Sequence, residues 1–227
     1  MNNHYTYFLI LAVSLVGPLG LSFDKKVAFY KKWKYLFPAM LFPALFYVIW
    51  DACFTSLGVW SFNPDYITGY KILNLPLEEV LFFFVVPYCC VFIYECILCY
   101  FPDLKNTILA DNILKILAVV LLITGLFFYQ RDYTAYTFVF FALFTALFFI
   151  FRQYFTGFKT NYFLIAYAII LIPFLIVNGV LTAIPVVTYN DAENLGFRIY
   201  TIPFEDTFYG MLLVFMNLAI YEKLRSR

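Results

Sequence analysis

Two pairs of adjacent carboxyls stand where an apolar chain has least use for them. They are Glu78-Glu79, in Asn74-Leu75-Pro76-Leu77-Glu78-Glu79, and Glu205-Asp206, in Thr201-Ile202-Pro203-Phe204-Glu205-Asp206. Each pair opens a long apolar run that closes on a Tyr-Glu, Tyr94-Glu95 in one case and Tyr221-Glu222 in the other. A charged residue at mid-depth in a bilayer costs about 2.5–3.5 kcal/mol, so paired acids at such places need a compensating purpose. Carboxyls crowded in an apolar surround cannot all stay ionised, and those that hold protons at neutral pH can pass them to an apolar substrate. Glu78, Glu79, Glu205 and Asp206 are therefore the candidate acid–base residues. For Glu78 and Glu205 a structural role stands beside the chemical one. With Pro76 and Pro203 at the first helical position, these glutamates fall in the first turn, where they bind free backbone N–H groups and complement the helix dipole. That role leaves the second acid of each pair unexplained.

The two motifs belong to an internal duplication with a constant offset of 127 residues (Glu78 to Glu205). Thr55, Asn63, Gly69, Pro76 and Tyr94 recur as Thr182, Asn190, Gly196, Pro203 and Tyr221, and Lys71 recurs as Arg198. The copies differ at Asp51, which meets Asn178, and at Trp60, which meets Val187. Asp51 and Asn178 are polar groups inside apolar helices, either joining the site or hydrogen-bonding each other across the two halves. Asn63 and Asn190 are turn residues first. With Trp60, Phe82 and Tyr209 they complete the candidate substrate-binding set, because aromatic faces that line a cavity stabilise a cation.

The elements that hold these residues must be membrane helices. Of 227 residues 64% are hydrophobic and 23% aromatic against 13% charged, and the apolar runs are of a length that only lipid accommodates. The formal net charge is +1, which gives no electrostatic case for nucleic acid. The five cysteines lie in or beside apolar segments as small hydrophobes, and Cys96-x-x-Cys99 has no companion cluster, so neither a disulfide framework nor a metal site is expected. The first apolar run, Tyr5 to Leu21, lacks a basic leader and a small-residue cleavage site, and reads as a retained span.

Seven spans are predicted, over residues 5–22, 34–56, 76–99, 109–129, 134–151, 161–184 and 203–222. Helices one to three map onto helices five to seven, giving an all-α membrane protein of two parallel three-helix repeats joined by helix four. The domains are then residues 1–100, 101–130 and 131–227. Basic residues concentrate in the first, third and fifth connections (Lys25, Lys26, Lys31, Lys32 and Lys34; Lys105; Arg152 and Lys159) and in the tail (Lys223, Arg225 and Arg227). This places the amino terminus outside and the carboxy terminus in the cytoplasm of the plasma membrane. Both acidic motifs then occupy the outer leaflet, where helices three and seven bring them to one cavity, with the long loops 56–75 and 185–202 able to fold over it. Glu95 and Glu222 read as solvated or paired groups at the cytoplasmic ends.

The duplicated Pro-x-Glu-Glu/Asp heading an aromatic-rich helix, the Tyr-Glu at its end and Trp60-Ser61-Phe62-Asn63 upstream resemble the integral-membrane lycopene cyclases. The resemblance covers nearly the whole chain. It implies that lycopene, drawn from the lipid phase, is the substrate, and that its acyclic ψ-ends are converted to β-rings without net redox change. A proton on the terminal double bond generates a tertiary cation, the neighbouring double bond closes the ring, and a carboxylate removes a proton. No strand–helix unit carries a Gly-x-Gly-x-x-Gly, so no bound flavin, and no other cofactor, is expected. Which carboxylate is acid and which base, β against ε ring, one end or both, and the oligomeric state stay open at this level. Two other readings are a transporter built from parallel repeats and a related end-group enzyme such as a hydratase. A retinal-binding receptor is disfavoured because residues 203–222 contain no lysine.

If helix four is only a linker, a chain cut near Lys105 should reassemble. The expected outcome is two co-expressed fragments that copurify from the membrane and recover the activity of the intact chain; fragments that are each unstable and jointly inactive would give helix four a larger role.

Overall fold

Apolar runs bounded by glycine, proline and charged turns form seven α-helices among the described residues of the computed structural model, which are 3–105 and 107–226. Arg227, counted in the basic tail, and Asn106, in the connection before helix four, lie outside them. The helices are α1 (Thr6–Leu21), α2 (Trp33–Leu57), α3 (Leu77–Tyr100), α4 (Ile108–Phe127), α5 (Asp132–Ile150), α6 (Thr160–Ala183) and α7 (Glu205–Arg225). Internal prolines at Pro38, Pro43, Pro87 and Pro173 do not interrupt them, as is common where neighbouring helices compensate the lost backbone bond.

Of the seven predicted spans, five helices (α2 to α6) are long and apolar enough to cross a membrane. The 16 residues of α1 fall short of the roughly 20 that a bilayer core asks for. Helix α7 carries acids in its first turn and Lys223 and Arg225 in its last, and its stretch from Gly210 to Ala219 is buried throughout. Protein rather than lipid surrounds it.

Packing follows the duplication. Helix α1 lies on α3 as α5 lies on α7, and α2 packs on α7 as α6 packs on α3. Helix α4 rests mainly on α5, with much of its surface outward.

The connections before α3 and α7 contain short strands that an all-α reading does not include: β1 (Trp60–Phe62), β2 (Lys71–Ile72), β3 (Leu75–Pro76), β4 (Val187–Tyr189), β5 (Arg198–Ile199) and β6 (Ile202–Pro203). Strands of two or three residues leave no periodicity to read. β2 pairs with β3 and β5 with β6, each tight hairpin turning through a left-handed residue, Leu73 (φ 57°) in the first and Tyr200 (φ 59°) in the second. β1 pairs with β4 antiparallel, in a register that sets Ser61 opposite Thr188, its own repeat equivalent.

The hairpins also correct the expected helix starts. Pro76 and Pro203 are not first helical residues; they are extended and pair with Lys71 and Arg198, at edge positions where the missing N–H is tolerated. α3 starts one residue after its proline and α7 two residues after.

At the far end of the bundle, Glu95 is fully buried and accepts hydrogen bonds from Lys32 Nζ, Arg225 Nη1 and Tyr221 Oη, which fastens α3 to α7 and to the short turn before α2. Glu222, also buried, pairs with Arg225 at 3.2 Å. These glutamates are paired, as expected of the Tyr-Glu closures, yet they are not solvated. Glu95→Ala should destabilise the folded protein by about 2–3 kcal/mol, since breaking a buried pair strands the partner charges and Lys32 and Arg225 keep 28% and 35% side-chain exposure through which to reach water. Detergent-solubilised unfolding midpoints measure this, and a shift no larger than that of an exposed Lys25→Ala would remove the role.

Candidate active site

Burial of a carboxyl among apolar helices is tolerable when hydrogen-bond donors meet it, and the donors here are tyrosines from other elements. Glu79 Oε2, on the first turn of α3, accepts from Tyr7 Oη of α1 at 2.6 Å. Asp51, near the end of α2, accepts from Tyr209 Oη of α7, and its carboxyl lies within hydrogen-bond reach of that of Glu79. Asp206, on the first turn of α7, accepts from Tyr133 Oη of α5 and, at 2.9 Å, from Tyr189 Oη of β4. All three acids are buried, and all three line one cavity.

The remainder of the lining is overwhelmingly apolar. Trp60 and Phe62 of β1 and Val187 and Tyr189 of β4 roof it, so the long connections do fold over the acids. Trp60 is fixed by a 3.1 Å bond from its Nε1 to Thr55 Oγ1, and its ring stands edge-on to Tyr133 (5.2 Å) and to Tyr209 (6.1 Å). Tyr133 stacks on Tyr189 at 5.8 Å. Several aromatic rings and three carboxyls thus border the same space. Outside the roof, Arg198 sits over Tyr189 at 5.9 Å and holds the Asp191 carboxyl below the usual carboxylate range by a hydrogen bond.

The four acids of the motifs do not converge as a set. Glu78 and Glu205, though buried, are not part of the cavity lining. Glu78 Oε1 accepts from the Thr68 backbone N–H at 2.7 Å, and Glu205 Oε1 from Leu195 N–H at 2.7 Å, which is the same contact one repeat later. Thr134 Oγ1 adds a 2.5 Å bond to Glu205. Each glutamate therefore binds backbone N–H as the structural role requires, but in the preceding loop and not in its own helix. Successive helix positions differ by about 100°, which is enough to send neighbouring acids to different surroundings.

Of the expected binding residues, Asp51, Trp60, Phe82, Asn178 and Tyr209 line the cavity. Asp51 bonds Tyr209 rather than Asn178. Asn63 and Asn190 do not line the cavity: their side chains accept from Asp65 N and Ala192 N two residues on, closing matching turns. Sequence reasoning missed Tyr7, Tyr133 and Tyr189, whose hydroxyls hold the acids. With 20 tyrosines in the chain nothing singles them out, except that Tyr7 and Tyr133 open the first helix of each repeat on the acidic side.

The class defined is thus a helical membrane protein whose duplicated halves enclose a buried, aromatic-lined carboxyl cavity. The lycopene cyclase family model matches residues 4–97 and 130–224, taking in both halves and leaving out the whole of α4, and the chain belongs to that family. A curated relative, the bifunctional lycopene cyclase/phytoene synthase of Aspergillus niger, is 41% identical over 39 residues, 17% of this chain. Those residues span 7% of that longer protein. No solved structure matches the chain.

The geometry separates amide from alanine at the glutamates outside the cavity. Glu78→Gln and Glu205→Gln keep an acceptor for Thr68 and Leu195 and should leave the loops protected from protease, whereas Glu78→Ala and Glu205→Ala should open them to cleavage. Equal protection in the alanine variants would show that these contacts do not hold the roof.

Proposed function

We propose that the protein is a lycopene cyclase that forms β-rings at the ψ-ends of lycopene in carotenoid biosynthesis, by acid–base catalysis inside the membrane. The observation that carries the reading is the meeting of a carboxyl pair, Asp51 and Glu79, with a third carboxyl, Asp206, in one apolar aromatic cavity. Two carboxyls that hydrogen-bond each other hold a proton between them, so the Asp51–Glu79 pair is suited to protonate the terminal double bond. Asp206, which accepts from two tyrosine hydroxyls, is suited to the carboxylate form that removes a proton after closure. One proton enters and one leaves, no electrons are exchanged, and the hydrogen-bonded tyrosines offer a route for resetting the acids. Trp60, Tyr133 and Tyr209 offer ring faces to the intermediate cations. The apolar walls keep out water that would quench them, which favours ring closure over hydration.

The architecture proposed with this chemistry is seven membrane-embedded helices in a three-plus-one-plus-three order, with residues 1–100 and 131–227 as parallel repeats and 101–130 as the link. The matched helix packing and the Ser61–Thr188 register support it. The lysine-rich end, with Lys25, Lys26, Lys31 and Lys32, is assigned to the cytoplasm, and the carboxyl cavity to the outer leaflet of the plasma membrane. One composite site serves both ends of a substrate in succession, and the product carrying a single ring turns end for end between the two events.

Expression in lycopene-accumulating cells followed by pigment analysis tests the proposal. Cyclised carotenoid should form, with monocyclic product appearing first. Glu79→Gln and Asp206→Asn should each lower formation of the first ring by ~100-fold or more, the range typical of a lost general acid or base. Unchanged lycopene with well-inserted wild-type protein would sink the reading, and a steady yield of monocyclic product from both variants would replace one site by two.

A further inference from the structure

The cavity does not end at the carboxyls. Along α3 it is lined at Glu79, Phe82, Val86, Cys89 and Ile93, a stripe at helical spacing. From Glu79 to Ile93 that stripe runs about 21 Å along the helix axis, at 1.5 Å per residue. Ser14 and Pro18 of α1 form one wall, and Pro173, Phe174 and Val177 of α6 the other. Several of these residues are partly exposed at the gap between α1 and α6, so the groove opens sideways toward lipid.

The duplicated half should hold a second such groove, between α5 and α2 along α7, and it is filled. Where α6 has Pro173 and Val177, α2 has Phe46 and Trp50, which pack edge-on against Phe140 of α5 at 5.6 and 4.9 Å. Where α1 has Ser14 and Gly17, α5 has Phe141 and Phe144. Phe141 is fully buried, and Phe144 packs on Phe215 at 4.9 Å. A methyl group at Gly17 would meet nothing within 4 Å. In the open half the Phe174 ring is seated beside Gly210, whose added Cβ would lie 3.0 Å from it, whereas the equivalent of Gly210 is Phe83, against which Tyr47 packs at 5.4 Å. One groove has been kept clear and its twin closed with rings.

We propose that the α1–α3–α6 groove is the seat of the long arm of an extended isoprenoid, which slides in from the lipid with its reacting end at Asp51, Glu79 and Asp206, and that the closed twin confines the substrate to this single orientation. The assignment rests on the cyclase reading for the nature of the ligand, but the asymmetry of the two grooves stands apart from it. An extended, fully apolar ligand fits because the stripe from Phe82 to Ile93 offers no charged group and because the groove is continuous with the acids. Ser14 and Val177 then set how long an arm can pass. Ser14 lies at the level of Cys89, whose Sγ is 3.6 Å from its carbonyl, about 15 Å along α3 from Glu79.

Copying the closed half into the open one tests this. Ser14→Phe, which places at position 14 the ring that Phe141 supplies in the other half, should cut conversion of full-length lycopene by roughly tenfold or more, as an overpacked groove loses its ligand. The same variant should convert at the wild-type rate a truncated acyclic isoprenoid bearing one ψ-end, with an arm shorter than ~15 Å. That retained activity also shows that the variant is folded. Equal conversion of both lengths by Ser14→Phe would overturn the assignment. A second readout needs no turnover: a diazirine amino acid in place of Ile93 should form a covalent adduct with lycopene on illumination, while the same group in place of its repeat partner Ile220 should not, and adducts of equal yield at the two positions would likewise overturn it. Wild-type protein that converts neither substrate would remove the cyclase reading, and the adduct at position 93 would then decide the groove alone.

Discussion

A carboxyl carried into an apolar bundle has to be met by a donor, and for the three carboxyls of the cavity each donor comes from a different element of the fold. Tyr7 brings α1 to α3, Tyr209 brings α7 to α2, and Tyr133 and Tyr189 bring α5 and β4 to α7. Hydrogen bonds to charged groups are worth about 1.5–3 kcal/mol each, and leaving such a group buried and unmet costs more. The acids therefore act as fixed points about which the helices must register, and the same contacts that make their burial tolerable aim them into one cavity. Position and chemistry have a common cause here.

The duplication has diverged in a graded way from roof to cavity. Loop fastening is nearly identical in the two halves: Glu78 holds Thr68 as Glu205 holds Leu195, and both loops turn through left-handed Leu73 and Tyr200. Inside the cavity the halves part. Asp51 has a carboxyl where Asn178 has an amide, and Tyr209 has a hydroxyl where Phe82 has none. The fastenings hold a loop in each half and recur together, whereas the chemistry proposed for a single reacting end needs one acid pair and one base.

Much of this was legible in the residues themselves. The constant offset exposed the repeats, the length and apolarity of the runs placed the helices within about three residues of where they lie, and the paired acids marked the cavity end. The division of labour within each pair was not legible, because Glu78 and Glu79 differ only by one step of helical rotation, and what separates them is a backbone N–H at Thr68 that any residue could offer. The tyrosine donors were hidden by abundance. Asp51 was set against Asn178 by the logic of symmetry, yet its hydrogen-bond partner is Tyr209, which a linear comparison of equivalent positions does not bring to attention. The strands escaped notice because a ladder of two or three residues has no period.

In the proposed architecture, a site shared by two equal repeats would have no inherent direction, since whatever one half offered to a bound end the other would offer equally. Direction requires that the halves differ at the carboxyls and also away from them. At the carboxyls, Asp51 against Asn178 sets the carboxyl pair on the side of α2 and α3, while Asp206 stands opposite with its two tyrosines. Away from them, the rings of Phe46, Trp50 and Phe140 occupy the space that Pro173 and Val177 leave free in the other half. The two differences point the same way, because the open groove runs down α3 from Glu79, a member of the carboxyl pair. An arm lying in that groove would deliver its end first to the Asp51–Glu79 pair, with Asp206, the proposed base, across from it. Having both repeats in one chain lets each half change independently, since two identical subunits would carry every substitution to both halves.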